Sequence, residues 1–195
     1  MTTATEHLVR AIKEVAETPS SMRKLARAAS TRPNIEGEWV HEIDGTDALE
    51  EVHVAREVPI GNRQRADLRI DGTFVEFKST MARYARPDYL WIASSPTKDS
   101  AEGWLGPDLT RMSTRNGLFV LLVSTTAANT EDTASQETER ERAITVYADW
   151  LLEYGEALKA GAEVLRVSAG QGVYAGVRAT HDALIVSSTF STVPG

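Results

Sequence analysis

The chain contains no cysteine, which removes disulfides, thiolate metal sites and cysteine nucleophiles together and fits a reducing compartment. Aromatic residues are scarce at 7%, and Trp39, Trp91, Trp104 and Trp150 are scattered, so core packing explains them better than a row of base-stacking rings. Long apolar runs are missing as well. The longest, residues 118–123, is far too short to cross a bilayer, and the opening residues, with Glu6 and Arg10, lack the apolar stretch of a secretory signal. A cytoplasmic protein without a membrane role is the expectation. There is no Walker motif or Gly-x-Ser-x-Gly elbow, and His7, His41, His53 and His181 show no metal-ligand spacing. Gly170-Gln171-Gly172 imitates a dinucleotide fingerprint, but too little chain follows for the rest of a βαβ unit, and a hairpin turn is expected there.

What is present is 195 residues, 42% hydrophobic and 25% charged, the composition of one globular domain over 1–195. A net charge of −7 repels polyanions in general. The charge is unevenly spread, however. Residues 56–86 carry seven Arg or Lys against four Asp or Glu, a basic island that is either a phosphate-facing surface or ordinary charge fluctuation on a solvated face.

Apolar periodicity predicts a helix over 5–17, capped by Thr5 and closed by Pro19, and a second over 20–29, giving a helical N-terminal extension of residues 1–30. A third helix, capped by Asn34 and ending near Gly45, carries Ile35, Trp39, Val40 and Ile43 on one side and Glu38 and Glu42 on the other. Residues 51–60 alternate as a strand. Between 80 and 116 the pattern is ambiguous: 89–93 reads as strand or helix, 100–105 as helix, and Pro107 suits the start of another short helix. Residues 118–124 form a strand buried on both faces, and hence central. The polar stretch 126–140 reads as a loop or frayed helix start, 143–160 as a long helix, and 163–168, 173–178 and 183–188 as strands. This order gives an α/β fold with a mixed sheet.

The sharpest local signal is Asp71-Gly72 between the alternating segments of residues 65–79, the mark of a two-residue hairpin. With that turn, Leu68, Ile70, Val75 and Phe77 share the core face, while Asp67, Glu76 and Lys78 share the other. Asp67 and Glu76 as paired neighbours would have Cβ atoms roughly 5 Å apart. Two charges about 4 Å apart repel by roughly 4 kcal/mol at an effective dielectric near 20, so one is protonated or a cation lies between them. Hard carboxylate oxygens at that spacing suit Mg²⁺. Lys78, two residues on and on the same face, would reach a metal-bound water or a phosphoryl oxygen, the arrangement that phosphodiester hydrolysis needs. Alternatively, the hairpin is plain and Arg65, Arg69 and Lys78 merely screen the two acids.

Asp67, eight intervening residues, then Glu76-Phe77-Lys78 resembles the Asp and Glu-x-Lys signature of the PD-(D/E)XK nucleases, over about residues 34–125. Ala66 stands where a proline often precedes the aspartate. The resemblance implies a restriction-endonuclease-like mixed central sheet flanked by helices, with residues 34–125 as catalytic core and 143–195 adding a helix and strands. It also implies a further acid from the preceding helix: Glu38 is the first choice, Glu42 the second and Glu36 the third. Mg²⁺, or Mn²⁺, would then sit on Asp67, Glu76 and that acid, with Arg65, Arg69, Arg83 and Arg86 as candidate DNA contacts. The expectation is a metal-dependent endonuclease of the restriction or phage-defence kind, homodimeric because cutting two strands is simplest with two centres. A binding or scaffold module that keeps the fold without catalysis is the alternative.

Overall fold

In the computed structural model, which describes residues 3–31, 35–61, 64–85, 101–128, 133–159 and 161–188, three helices come first: α1 (Ala4–Glu17), α2 (Pro19–Thr31) and α3 (Ile35–Asp44). Strands β1 (Val54–Gly61), β2 (Gln64–Ile70) and β3 (Thr73–Met81) follow, then α4 (Ala101–Ser113), β4 (Leu118–Ala128), α5 (Thr133–Leu158), β5 (Ala162–Tyr174) and β6 (Val177–Ser188). One six-stranded sheet has the order β1-β2-β3-β4-β6-β5. The β3–β4 pair is parallel and the other neighbours are antiparallel, so the sheet is mixed, as the element order predicts. Among the described residues no helix is long and apolar enough to cross a membrane.

Helices cover both faces. On one, Leu8, Ile12 and Leu25 from α1 and α2 and Trp39 and Ile43 from α3 pack on Leu68, Ile70, Val75 and Phe77. The N-terminal helices are thus part of the core rather than an extension of it. On the other, Leu105 and Leu109 of α4 and Tyr147, Trp150 and Leu151 of α5 pack on Phe119, Leu121 and Val123. β4 supplies apolar side chains to both layers, and its first eight residues are all buried, which is why it reads as an unbroken apolar run and lies inside the sheet.

The hairpin forms as its sequence dictates. Asp71 (φ 47°) and Gly72 (φ 86°) take the left-handed conformations that a type I′ turn demands, and the ladder runs Ile70↔Thr73, Arg69↔Phe74, Leu68↔Val75.

Elsewhere the structure corrects the reading. The cap of α1 is Thr3, in a reciprocal capping box with Glu6, not Thr5. Pro19 opens α2 rather than only closing α1, because a fixed φ and a missing N–H cost nothing in a first turn. Residues 101–113 are a single helix with Pro107 inside it, so no new helix starts there. α5 begins at Thr133, ten residues early, because the polar stretch is tied down by arginines: Arg140 bonds Asp182 and Glu137, and Arg142 donates to the Ala85 carbonyl at 2.6 Å. The three expected C-terminal strands are two long ones that turn at Ala175 and Gly176, both with positive φ. Gly170 and Gly172 form no hairpin turn; they lie within β5 beside a register shift between Ser168 and Gln171. A Cβ at Gly172 would overlap the Met22 carbonyl, so this glycine lets α2 lie directly on the strand. The expected cap Asn34, residues 89–93 and Arg86 lie outside the described residues.

Candidate functional site

The β2–β3 ladder stops at Leu68↔Val75. Just beyond it, Asp67 Oδ2 accepts the amide of Phe77 at 2.7 Å, so a carboxylate takes a backbone donor at the point where the two strands part. Facing alternation breaks here too: Ala66 packs in the α4–α5 layer and Leu68 in the α1–α3 layer. On β1, Glu57 lies between the pairs Arg56↔Leu68 and Val58↔Ala66, with φ 49°, which places it beside Asp67.

Glu76 and Lys78 project from β3 beside this fork. Lys78 Nζ lies 3.1 Å from Glu76 Oε1, 3.5 Å from Glu36 Oε1 of α3 and 3.4 Å from Asp108 Oδ2 of α4. Arg111, one turn after Asp108, places Nη2 2.7 Å from both Glu76 Oε1 and Asp108 Oδ1. Three elements therefore converge on one mostly buried cluster. Its side chains are between 6% and 26% exposed for Glu36, Glu76, Lys78, Asp108 and Arg111, and Glu76 Oε2 is buried with no hydrogen-bond partner.

No family model, curated protein or solved structure matches this chain. The site must therefore be read from its own geometry.

The sequence-expected trio Asp67, Glu76 and Lys78 gathers in one region. The helix acid is different: Glu36 reaches Lys78, whereas Glu38, the first choice, lines an open groove with Lys24, Arg27, Ala28, Thr31 and Tyr174. Glu42 is bound to Lys24 at 2.7 Å. The reason is helical phase. Glu36 lies on the inward stripe with Trp39, Val40 and Ile43 at i, i+3, i+4 and i+7, and Glu38 and Glu42 do not. Asp108 and Arg111 were not singled out from sequence; their one-turn spacing inside 101–113 was the available signal. Of the expected DNA contacts, Arg65 on β2 and Arg83 after β3 are exposed, and Arg69 is half-buried with its Nε unpartnered.

Charge governs the chemistry here. Burial pushes the Glu36 carboxyl up to about 7 against the pull of Lys78, with Asp67 and Glu76 adding to the rise. Burial likewise raises Asp67, against the Phe77 amide, and Glu76, against Lys78 and Arg111. For Lys78, burial works to lower the pKa, but Glu36, Glu76 and Asp108 together outweigh it and hold the amine charged. A lysine so held cannot accept a proton from water, which leaves it an orienting and charge-stabilising role.

Four carboxyl groups (Glu36, Asp67, Glu76, Asp108) outnumber two cations in a poorly solvated space, a surplus that approaches two negative charges only above pH 7, where Glu36 is ionised, and that a divalent ion would offset. The donor set of hard oxygens suits Mg²⁺ or Mn²⁺, and the unpartnered Glu76 Oε2 is an acceptor without a donor. Among the described residues, however, no group of three or more His, Asp or Glu is gathered as an ion would need, because the acids close on Lys78 and Arg111 instead of on one another.

A pH dependence follows. A carboxyl raised by folding contributes stability that is present below its unfolded value and lost as pH rises through its folded value. His181, fully buried and lowered to about 4, acts oppositely, its contribution growing as pH rises from 4 through 6.5, but it is common to wild type and Glu36→Gln and cancels in their difference. Relative to Glu36→Gln, metal-free wild type is expected to lose about 1 kcal/mol between pH 6.5 and 8. Thermal melts of both proteins check this; parallel curves would remove the raised carboxyl.

Proposed function

We propose that the chain is a metal-dependent nuclease that hydrolyses DNA phosphodiester bonds, with a restriction-endonuclease-like arrangement of its sheet. One observation carries the reading: a charged lysine held on β3 among carboxylates from three elements, in a mostly buried cluster where acids outnumber cations. Asp67, Glu76 and Glu36 would hold Mg²⁺ or Mn²⁺, which supplies charge neutralisation of the phosphate and a more acidic water. Asp67 is oriented by the Phe77 amide. Lys78 offers its ammonium to a phosphoryl oxygen or the attacking water, where a preformed positive charge counts most in a dry site. Arg65, Arg69 and Arg83 on the hairpin and just after it are the DNA contacts this reading assigns, and a homodimer would bring two such centres to two strands.

The second reading is a binding module with the same sheet and no catalysis. What favours it is that the acids are neutralised by Lys78 and Arg111 rather than gathered for an ion. Incubating plasmid DNA with wild type, Asp67→Ala and Lys78→Ala in Mg²⁺ separates the two. Nicking or linearisation by wild type alone supports the nuclease. Equal activity in all three removes Asp67 and Lys78 from any chemistry, and no activity in any supports the binding module.

A further inference from the structure

Among the described residues, Arg111, Arg140 and Arg166 each approach a carboxylate to within 2.7 Å, and they do so in different ways. Arg166 grips Glu141 with two parallel bonds, Nη1 to Oε2 at 2.7 Å and Nη2 to Oε1 at 2.6 Å. Arg140 grips Asp182 likewise, Nε to Oδ2 at 2.6 Å and Nη2 to Oδ1 at 3.0 Å. Both are forked pairs, the geometry in which a guanidinium and a carboxylate satisfy each other. Arg111 is not so placed. Its single Nη2 is shared between Glu76 Oε1 and Asp108 Oδ1, each at 2.7 Å. Its Nε and the second oxygen of Glu76, Oε2, are both buried without a partner.

An open donor and an open acceptor on two residues already in contact mean that the pair has not closed as the other two have, although both groups are largely buried and a buried polar atom without a partner is unfavourable. A pair made for stability alone would rotate into the fork. Arg111 instead lies as a cation bridging two carboxylates by one atom, as a metal ion bridges them. With Lys78, it stands where Glu76 meets its neighbours, and these two cations hold acids that otherwise form no ion site among the described residues.

We propose that Arg111 is a built-in competitor for the divalent cation: its guanidinium holds Glu76 while the site is empty of metal and must give that carboxylate up when a metal ion binds. The inference rests on the metal-binding reading of Asp67, Glu76 and Glu36. It makes the apparent metal affinity the difference between what the carboxylates gain from the ion and what they lose from Arg111. Arg111 thereby sets the metal concentration at which the centre assembles.

The test is Mg²⁺ titration by calorimetry on wild type, Arg111→Met and Arg111→Lys, without DNA, alongside thermal melts with and without Mg²⁺. Arg111→Met keeps the length and removes the charge, and is expected to bind Mg²⁺ at least tenfold more tightly and to gain more stability from it than wild type. Arg111→Lys keeps a charge near Glu76 and is expected to fall between. Should Arg111→Met not fold without metal, Arg111→Lys carries the test through its own affinity. Binding in wild type with equal or weaker binding in the variants overturns the competition while leaving the metal site standing. No binding in any of the three overturns the metal site itself.

Discussion

Lys78→Ala is expected to lower Mg²⁺-dependent DNA cleavage by about 10²–10³-fold with the far-UV circular dichroism spectrum unchanged. The magnitude follows from what the residue supplies. Its amine is held charged by Glu36, Glu76 and Asp108 and is only 16% exposed, so its positive charge acts in a medium of lower dielectric than water. A fixed charge in such a place costs no reorganisation when the transition state forms. Lys78→Arg keeps the charge but not the compact shape and is expected to recover only part of the rate. Cleavage that persists undiminished in Lys78→Ala would remove the lysine from the chemistry, and with it the main support for a nuclease.

The largest effect on stability belongs to a different place. Asp182, 1% exposed on β6, holds Arg140 of α5 through two bonds and Arg166 of β5 through a third at 3.1 Å. It fastens the first half of α5 and the outer strand β5 to the sheet. Asp182→Ala leaves the Arg140 guanidinium, itself 14% exposed, with only the exposed Glu137 as partner, and removing the buried partner of such a charge costs up to roughly 3–5 kcal/mol. A melting temperature lower by roughly 10 °C is the expected outcome for a domain of this size. Arg166 is 36% exposed and keeps Glu141, so it adds little to the loss. Arg140→Met combined with Asp182→Leu should recover a good part of it, because the cost lies in the unpaired charge rather than in the lost contact. A fall of less than about 2 °C in Asp182→Ala would show that the pair carries no structural load.

The two regions differ in how far they could be read from residues alone. The hairpin was legible because its signals are local: Asp71-Gly72 fixes the turn, and alternation fixes the faces as far as Leu68↔Val75, whereas the expected Asp67–Glu76 pair is not formed because the strands part there and Asp67 takes the Phe77 amide. β4 was legible for a similar reason, since a strand buried on both faces has to be apolar throughout. β6 was not, because Thr180-His181-Asp182 has the composition of a turn. His181 and Asp182 are buried mid-strand with distant partners: Ser124 Oγ lies 2.8 Å from His181 Nδ1, and Arg140 and Arg166 meet Asp182. Local propensity cannot see those partners. The candidate site divides along the same line. Asp67, Glu76 and Lys78 follow from strand geometry, whereas Asp108 and Arg111 arrive from α4, whose Pro107 and two interior glycines blur the helical pattern. Glu36 was within reach through helical phase, because it shares a stripe with Trp39 and Ile43, yet the outward-facing Glu38 was preferred.

All of this chemistry assumes that the carboxylates around Lys78 bind a divalent ion when offered one. Calorimetric titration of Mg²⁺ into wild type and Glu76→Gln asks that question directly. The glutamine keeps the shape and removes the charge whose second oxygen is unpartnered. Saturable binding of about one ion per chain in wild type, weakened at least tenfold in Glu76→Gln, is the outcome expected from carboxylates that outnumber the cations of a partly buried site. Absence of binding in wild type, or equal binding in both proteins, would contradict it.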